Sequence, residues 1–353
     1  MFIDLIAKHF LSILCSLEPS MRHAFLLLKF FVAAAVIWAL FAYGVLDLSA
    51  FRVAIAHPVA LVTVLILLLL VYVLYAYRWR LLLACQSVDI TGHAAVGVTF
   101  FSLFVGNFLP GGALTGDAVR IAYAVKAFSA RKTAVVISVF ADRLIGFYAM
   151  LLVCCTVALV DSTENLNRGP LRFLATTSGV LLSAASVSLF VIYIGLKHKS
   201  HWLQRLICRV PQGRVAHALQ QIIEALSLYR RSPQSIILAL AISVLAFSLI
   251  VICVMIVGHA MQLGPLESID YGFAAPWAWL ANYLPVTPGG IGVGEAAFDR
   301  ICHWRESSPT AAAYGTIFLV YRIATIVATL PGLVIYFFHR DTFRLLIRLP
   351  NDG

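Results

Sequence analysis

Charge is what this chain has least of. Only 12% of its 353 residues are Asp, Glu, Lys or Arg, where a soluble domain carries about 25%. So small a supply cannot clothe a water-facing surface of that size. The place of the missing charge is taken by hydrophobic residues, at 61% of the chain, with a mean hydropathy of +0.93. Val59–Tyr77 and Ser235–Val257 contain no charge at all, and each is long enough to cross a ~30 Å hydrocarbon core as a helix. A backbone in lipid must satisfy its own hydrogen bonds, so the composition predicts an all-α polytopic membrane protein.

Other absences narrow the chemistry. There is no Walker loop, no nucleotide-binding glycine fingerprint, no HExxH pair and no Gly-x-Ser-x-Gly elbow, which leaves no recognisable catalytic centre and no expected cofactor. The seven cysteines lack zinc-ligand spacing, and Cys154-Cys155 falls inside an apolar run; they read as small buried hydrophobes. The N-terminus is interrupted by Asp4, Lys8 and His9 and does not read as a cleavable signal. The net charge of +10 does not point to nucleic acid, because the basic residues sit in short loops between apolar spans. There they act as topology signals and contacts for anionic headgroups at the cytoplasmic face.

Six full spans are predicted, near 25–46, 58–77, 133–160, 173–195, 235–258 and 310–338. Two shorter apolar stretches, Ala94–Leu109 and Tyr271–Leu284, run into Pro110-Gly111-Gly112 and Pro285-Val286-Thr287-Pro288-Gly289-Gly290. Gly and Pro break helices, so both stretches are expected to enter the membrane and turn back. With the N-terminus in the cytoplasm, 18 basic residues fall inside, Arg78, Arg80 and Arg120 among them, and five outside: Arg52, Arg168, Arg172, Arg300 and Arg305. The positive-inside rule then places both termini in the cytoplasm. Within the connector 196–234, Val215, Leu219, Ile222, Ile223 and Leu226 recur at helical spacing and predict a helix lying on the cytoplasmic surface.

The two breaks resemble each other. Asn107-Phe108-Leu109-Pro110-Gly111-Gly112 continues to Gly116-Asp117; Asn282-Tyr283-Leu284-Pro285 continues through Gly289-Gly290 to Gly294-Glu295. A span carrying an arginine follows each: Asp142-Arg143 in the first case, Tyr321-Arg322 in the second. The chain therefore divides into a lead (1–24), a first membrane repeat (25–160), a second that includes the connector (173–338), and a cytoplasmic tail (339–353). Each repeat holds three transmembrane helices and one re-entrant broken helix. The first begins inside and the second outside, so they are inverted, an architecture of transporters.

A charge at mid-bilayer costs at least ~2.5–3.5 kcal/mol, so Asp142, Arg143 and Arg322 need a reason to be there. Two readings stand open. They form buried ion pairs between the halves, Arg143 with Glu295 or Arg322 with Asp117, or they line a polar chamber for a headgroup or coupling ion. Because neighbours on a helix point about 100° apart, Asp142 and Arg143 are expected to pair with other groups. The N–H groups at the Gly-Gly breaks suit an anion. The candidate translocation residues are Asn107, Gly111, Gly112, Asp117, Arg120, Asp142, Arg143, Asn282, Gly289, Gly290, Glu295 and Arg322.

The run from Asn107 to Gly112 with Gly116-Asp117-Ala-Val-Arg120, the Asp142-Arg143 pair, and Leu284-Pro285-Val-Thr-Pro288-Gly289-Gly290-Ile-Gly292-Val-Gly-Glu295 together resemble the lysylphosphatidylglycerol synthase transmembrane-region family, over roughly residues 25–340. The resemblance implies a bacterial or archaeal inner-membrane protein that moves a polar or anionic lipid, of aminoacylated or hopanoid type, between leaflets. The synthase carries a soluble aminoacyl-transfer domain after its membrane part. With nothing of that size before residue 353, this chain is not expected to make lysyl lipid. Two other classes remain open: a non-transporting accessory protein of an envelope lipid pathway, acting with a partner or as a homo-oligomer, and a membrane-embedded enzyme using Asp117, Asp142 or Glu295 on a lipid-linked substrate.

Overall fold

The computed structural model describes residues 38, 40, 42, 44–108, 112–127, 132–160, 169–197, 228–282, 292–306 and 310–338. Among them there is helix and no strand. In chain order the helices are α1 (Leu48–Ile55), α2 (Pro58–Cys85), α3 (Gly92–Phe108), α4 (Ala113–Ala127), α5 (Lys132–Val160), α6 (Gly169–Lys197), α7 (Pro233–Met261), α8 (Ser268–Asn282), α9 (Val293–Arg305) and α10 (Gly315–Phe338). Five of these, α2, α5, α6, α7 and α10, are long and apolar enough to cross a membrane. The expected lead, most of the expected first span, most of the 196–234 connector and the tail lie outside the described residues.

Local chemistry sets the helix ends. Proline opens both α2 and α7, where its missing N–H costs nothing. Asp47 caps α1 by accepting the Ser49 N–H at 2.8 Å. α7 stops at Gln262 in the left-handed conformation, φ 48°. At 1.5 Å per residue, the 28 residues of α2 span about 42 Å. Along it Val59, Val62, Ile66 and Leu70 face outward, from 46 to 78% exposed, while Val64, Leu68, Val71 and Tyr72 are buried. An apolar stripe of that extent is untenable in water and is the natural lipid face of a spanning helix.

α3 and α4 form an antiparallel helical hairpin. Gly116 lies against Ser102 and Gly106 against Gly112, so closely that a Cβ on Gly116 would stand 2.5 Å from the Ser102 carbonyl oxygen. α8 and α9 do the same: Asn282 meets Gly294 near the turn, and Asp270 meets Arg305 at the open end. Each expected break is thus a reversal of direction. At 13 residues α9 reaches about 20 Å, short of a full ~30 Å crossing.

The two sets α2–α5 and α7–α10 make equivalent contacts. α2 packs on α7. α3 packs on α10 as α8 packs on α5, and α2 packs on α10 as α7 packs on α5. Within each set the hairpin limbs touch each other, and the second limb touches the following span. Small residues permit the close approaches, as is usual between helices in lipid: a Cβ on Gly332 of α10 would stand 2.4 Å from the Phe100 carbonyl oxygen of α3.

The structure corrects the sequence reading of two loops. α2 continues eight residues past the expected end, so Arg78 and Arg80 stand on a helix, and Arg78 is buried. Arg305, expected in an outer loop, closes α9 and is buried too. Their partners supply the reason. A guanidinium bonded to a carboxylate can be buried where a lone one cannot. Without Arg78, Arg120 and Arg305, the excess of basic residues on the expected inner side persists.

Candidate functional site

The residues that end the first limb of each hairpin share a cavity. Asn107 of α3 and Asn282 of α8, the asparagines of the two matching motifs, line a space of about 180 Å³ together with Trp279, Arg322 and Thr325. Phe318, Tyr321 and Ile326 complete the wall. Asn107 donates from Nδ2 to Thr329 Oγ1 of α10 at 3.4 Å. The Asn282 side chain rests on Gly294, where a Cβ would stand 2.3 Å from its Oδ1, and that Oδ1 is buried without a hydrogen-bond donor among the described residues.

Each hairpin also places an acid against the arginine of the following span. In the first, Arg143 donates from Nε to Asp117 Oδ2 at 2.7 Å and from Nη2 to Asp117 Oδ1 at 2.8 Å. In the second, Arg322 Nε lies 2.9 Å from Glu295 Oε1, while Glu295 Oε2 accepts the Gly292 N–H at 2.7 Å. Gly292 has φ +91°, which glycine alone adopts freely; the turn it makes aims its N–H at the carboxylate three residues on. Arg322 and Oε1 make a charge contact rather than a directed hydrogen bond, since Oε1 has no donor in hydrogen-bonding geometry. The expected cross-half pairings, Arg143 with Glu295 and Arg322 with Asp117, are not the ones formed. Each acid sits in the second limb of a hairpin that packs on its own following span, so the partner within the half is the nearer one. The two pairs differ in exposure. The Arg143 and Asp117 side chains are 38% and 13% exposed, those of Arg322 and Glu295 11% and 1%.

The first half carries a further cluster. Asp142 accepts from Arg78 Nε at 2.6 Å and from Arg120 Nη1 at 3.2 Å, all three residues being buried. Arg78 also donates to Ser243 of α7 at 3.0 Å and Arg120 to Ser102 of α3 at 3.1 Å. Their guanidinium groups lie over the Tyr75 and Trp79 rings at 4.9 and 5.4 Å, contacts that partly replace lost hydration. Asp142 and Arg143 thus take different partners, as their 100° offset requires. Matching Gly116 with Gly294 and Arg143 with Arg322 puts Phe298 where Arg120 stands and Tyr321 where Asp142 stands, so the second half has no such cluster there.

Of the candidate residues, Asn107, Asn282 and Arg322 meet at the cavity, with Glu295 behind Arg322. Asp117 and Arg143 pair, as do Arg120 and Asp142. Gly112 makes the first turn at φ +57°. Gly111, Gly289 and Gly290 lie outside the described residues, and with them the expected N–H sites for an anion. Sequence reasoning missed Arg78, Ser243, Trp279 and the buried Arg305–Asp270 pair at 2.6 Å. Arg78 carried a signal: Leu81-Leu82-Leu83-Ala84 follow it, a continuation of apolar helix.

The profile of the lysylphosphatidylglycerol synthase TM region matches residues 26–332, which contain α1 to α9 and most of α10. The chain belongs to this family. No curated protein and no solved structure matches it. Family membership makes the protein a member of a membrane module linked to lipid modification and flipping. Both hairpins, both acid–arginine pairs and the shared cavity lie within the family's region. Among the described residues no three His, Cys, Asp or Glu side chains converge as metal ligands do. What the site offers is polar recognition inside an apolar body: carboxamides, a guanidinium held beside a carboxylate, and aromatic walls.

Proposed function

We propose that this protein moves a polar-headgroup lipid between the leaflets of a bacterial cytoplasmic membrane. The headgroup passes through the cavity between the two hairpins while the acyl chains stay in the bilayer. One observation carries this reading: the asparagines of two matching motifs, remote in sequence, line the same polar cavity in a chain whose outer surface is apolar. The equivalent contacts of α2–α5 and α7–α10 support two inverted repeats with re-entrant hairpins, and the distribution of basic residues supports cytoplasmic termini. In such an arrangement each half can take the conformation of the other, which supplies inward-open and outward-open states of similar energy. The unequal exposure of the Asp117–Arg143 and Glu295–Arg322 pairs supports a state in which the two halves differ.

The test is reconstitution into vesicles carrying an acyl-labelled fluorescent lipid, followed by quenching from outside. The intact protein exposes the inner-leaflet label faster than empty vesicles do; Asn107→Ala and Asn282→Ala, correctly folded, do so at the empty-vesicle rate. Unchanged rates in both variants refute the cavity as the path.

A further inference from the structure

We infer that a proton-binding seat between His303 and Asp299 makes lipid movement respond to acidity at the open end of the second hairpin; this rests on the transport reading. Glu295, Asp299 and His303 stand four residues apart on α9, so they share one face. That face meets α10. Glu295 lies 2.9 Å from Arg322, a residue of the cavity wall. Asp299 Oδ1 accepts the Gly315 N–H, at the start of α10, at 3.0 Å. His303 ends the row, its ring 5.2 Å from that of Tyr314. One line of contacts therefore runs from the cavity to the far end of the hairpin.

The hydrogen-bonding atoms define the seat. Glu306 accepts the Thr310 N–H at 3.2 Å and the hydroxyls of Thr310 and Tyr314. Burial works against its charge, but these donors prevail and hold its pKa below the usual carboxylate range. An ionised carboxylate only accepts. His303 Nδ1, 3.1 Å from Glu306 Oε2, therefore keeps its hydrogen in either state of the ring. The atom left to titrate is Nε2, which faces Asp299 Oδ2 at 3.6 Å. In the neutral ring Nε2 is a lone pair set against an acceptor oxygen. An added proton turns that contact into an ion pair and puts a cation between two carboxylates. Imidazole ordinarily makes this change between about pH 5 and 8.

The neighbouring charges leave the seat to His303. From α8, Asp270 is held by Arg305 at 2.6 Å. On α9 itself, Arg300 lies over the Trp304 ring at 5.6 Å and Cys302 is buried. α6, which also touches α9, carries Arg172, and that residue is exposed. The His303 side chain is 26% exposed and open to protons, whereas those of Asp299 and Glu306 are 10% and 2% exposed. With the proton bound, α9 is fastened to the start of α10. Without it, two shielded carboxylates lose the cation between them and the fastening loosens. The hairpin is thus held or freed along the same contact that carries the Glu295–Arg322 pair. In the orientation proposed above, this end of the hairpin faces the outer compartment.

The experiment repeats the quenching assay at equal pH on both sides of the vesicle, with acyl-labelled phosphatidylglycerol and lysylphosphatidylglycerol as probes. The intact protein is expected to move lipid several-fold faster at about pH 8 than at about pH 5, as the imidazole loses its proton. In Asp299→Asn the side-chain carbonyl keeps the Gly315 N–H, and the amide N–H turns to His303 Nε2. The hydrogen is then permanent, and movement should be slow at every pH. In His303→Gln nothing titrates, and the rate should be flat. A rate flat in pH for the intact protein, or a pH dependence that survives in either variant, overturns the inference and leaves the transport reading standing. If neither lipid moves faster than in empty vesicles at any pH, both fall.

Discussion

Arg143 holds Asp117 with two parallel hydrogen bonds, from Nε and Nη2 to the two carboxylate oxygens, at 2.7 and 2.8 Å. The pair joins the second limb of the first hairpin to the span that follows, and more than a third of the arginine side chain remains exposed. Partly solvated pairs contribute little to stability, at most about 1 kcal/mol. Arg143→Ala is therefore expected to fold and purify like the parent protein, with a melting temperature in detergent nearly unchanged, yet to lose lipid movement in vesicles. Normal movement would reduce the pair to an ornament of the hairpin.

The equivalent pair in the second half should respond differently. Glu295 is wholly buried and also fastens the Gly292 turn. Removing one member of a buried pair costs about 3–5 kcal/mol. Arg322→Ala is expected to lower the melting temperature markedly, and the double variant Arg322→Met with Glu295→Gln to recover part of the loss. A thermal-shift series in one detergent measures both.

Asp142 stands between Arg78 and Arg120. Asp142→Asn leaves two buried guanidinium groups with no carboxylate and is expected to be the most damaging single change in the cluster, abolishing accumulation in the membrane. Arg120→Met leaves Asp142 with Arg78 and costs less. Membrane expression and melting temperature, measured side by side, rank the two; the reverse order contradicts the assignment.

The hairpin glycines separate backbone from side-chain obstruction. A methyl on Gly294 meets the Asn282 side chain, but one on Gly116 meets the Ser102 backbone. Overpacking costs about 1–3 kcal/mol. Asn282→Ala should rescue the stability of Gly294→Ala, whereas Ser102→Ala should not rescue Gly116→Ala, because the obstructing carbonyl stays.

Glu306, in the segment between α9 and α10, gives an acid-dependent prediction. Burial raises its pKa, but hydrogen bonds from Thr310, Tyr314 and His303 outweigh that and hold it below the usual carboxylate range. A depressed pKa contributes stability above the unfolded-state value, near pH 4.3, and loses it as pH falls through the folded value. Glu306→Gln should therefore be less stable than the parent at pH 7, with the gap closing below about pH 4. Melting curves across that range decide it.

Much of the fold could be read from the residues in order. Uncharged runs such as Val59–Tyr77 announce spans because a helix needs only length and apolarity to cross lipid, and both are local properties. The breaks were legible for the same reason: glycine and proline act on their own backbone. The repeat of Asn, Gly-Gly and acid marked Asn107, Asn282, Asp117 and Glu295, which the structure brings to one cavity or to the arginines of the following spans. Arg78 escaped, because a charged residue near the end of an apolar run looks like a loop until something is known of what lies beside it.

What the sequence determined by itself was the membrane, the two reversals and the set of charged residues that had to be satisfied inside. Which charges satisfy which was decided only by the tertiary structure. Pairing energy falls with distance and rises with burial, and neither is written in the spacing of residues along a helix. Only once each hairpin lay on its own following span did Asp117 come to Arg143 and Glu295 to Arg322, and only the packing of α3 and α8 against the body of the molecule brought Asn107 and Asn282 to one cavity.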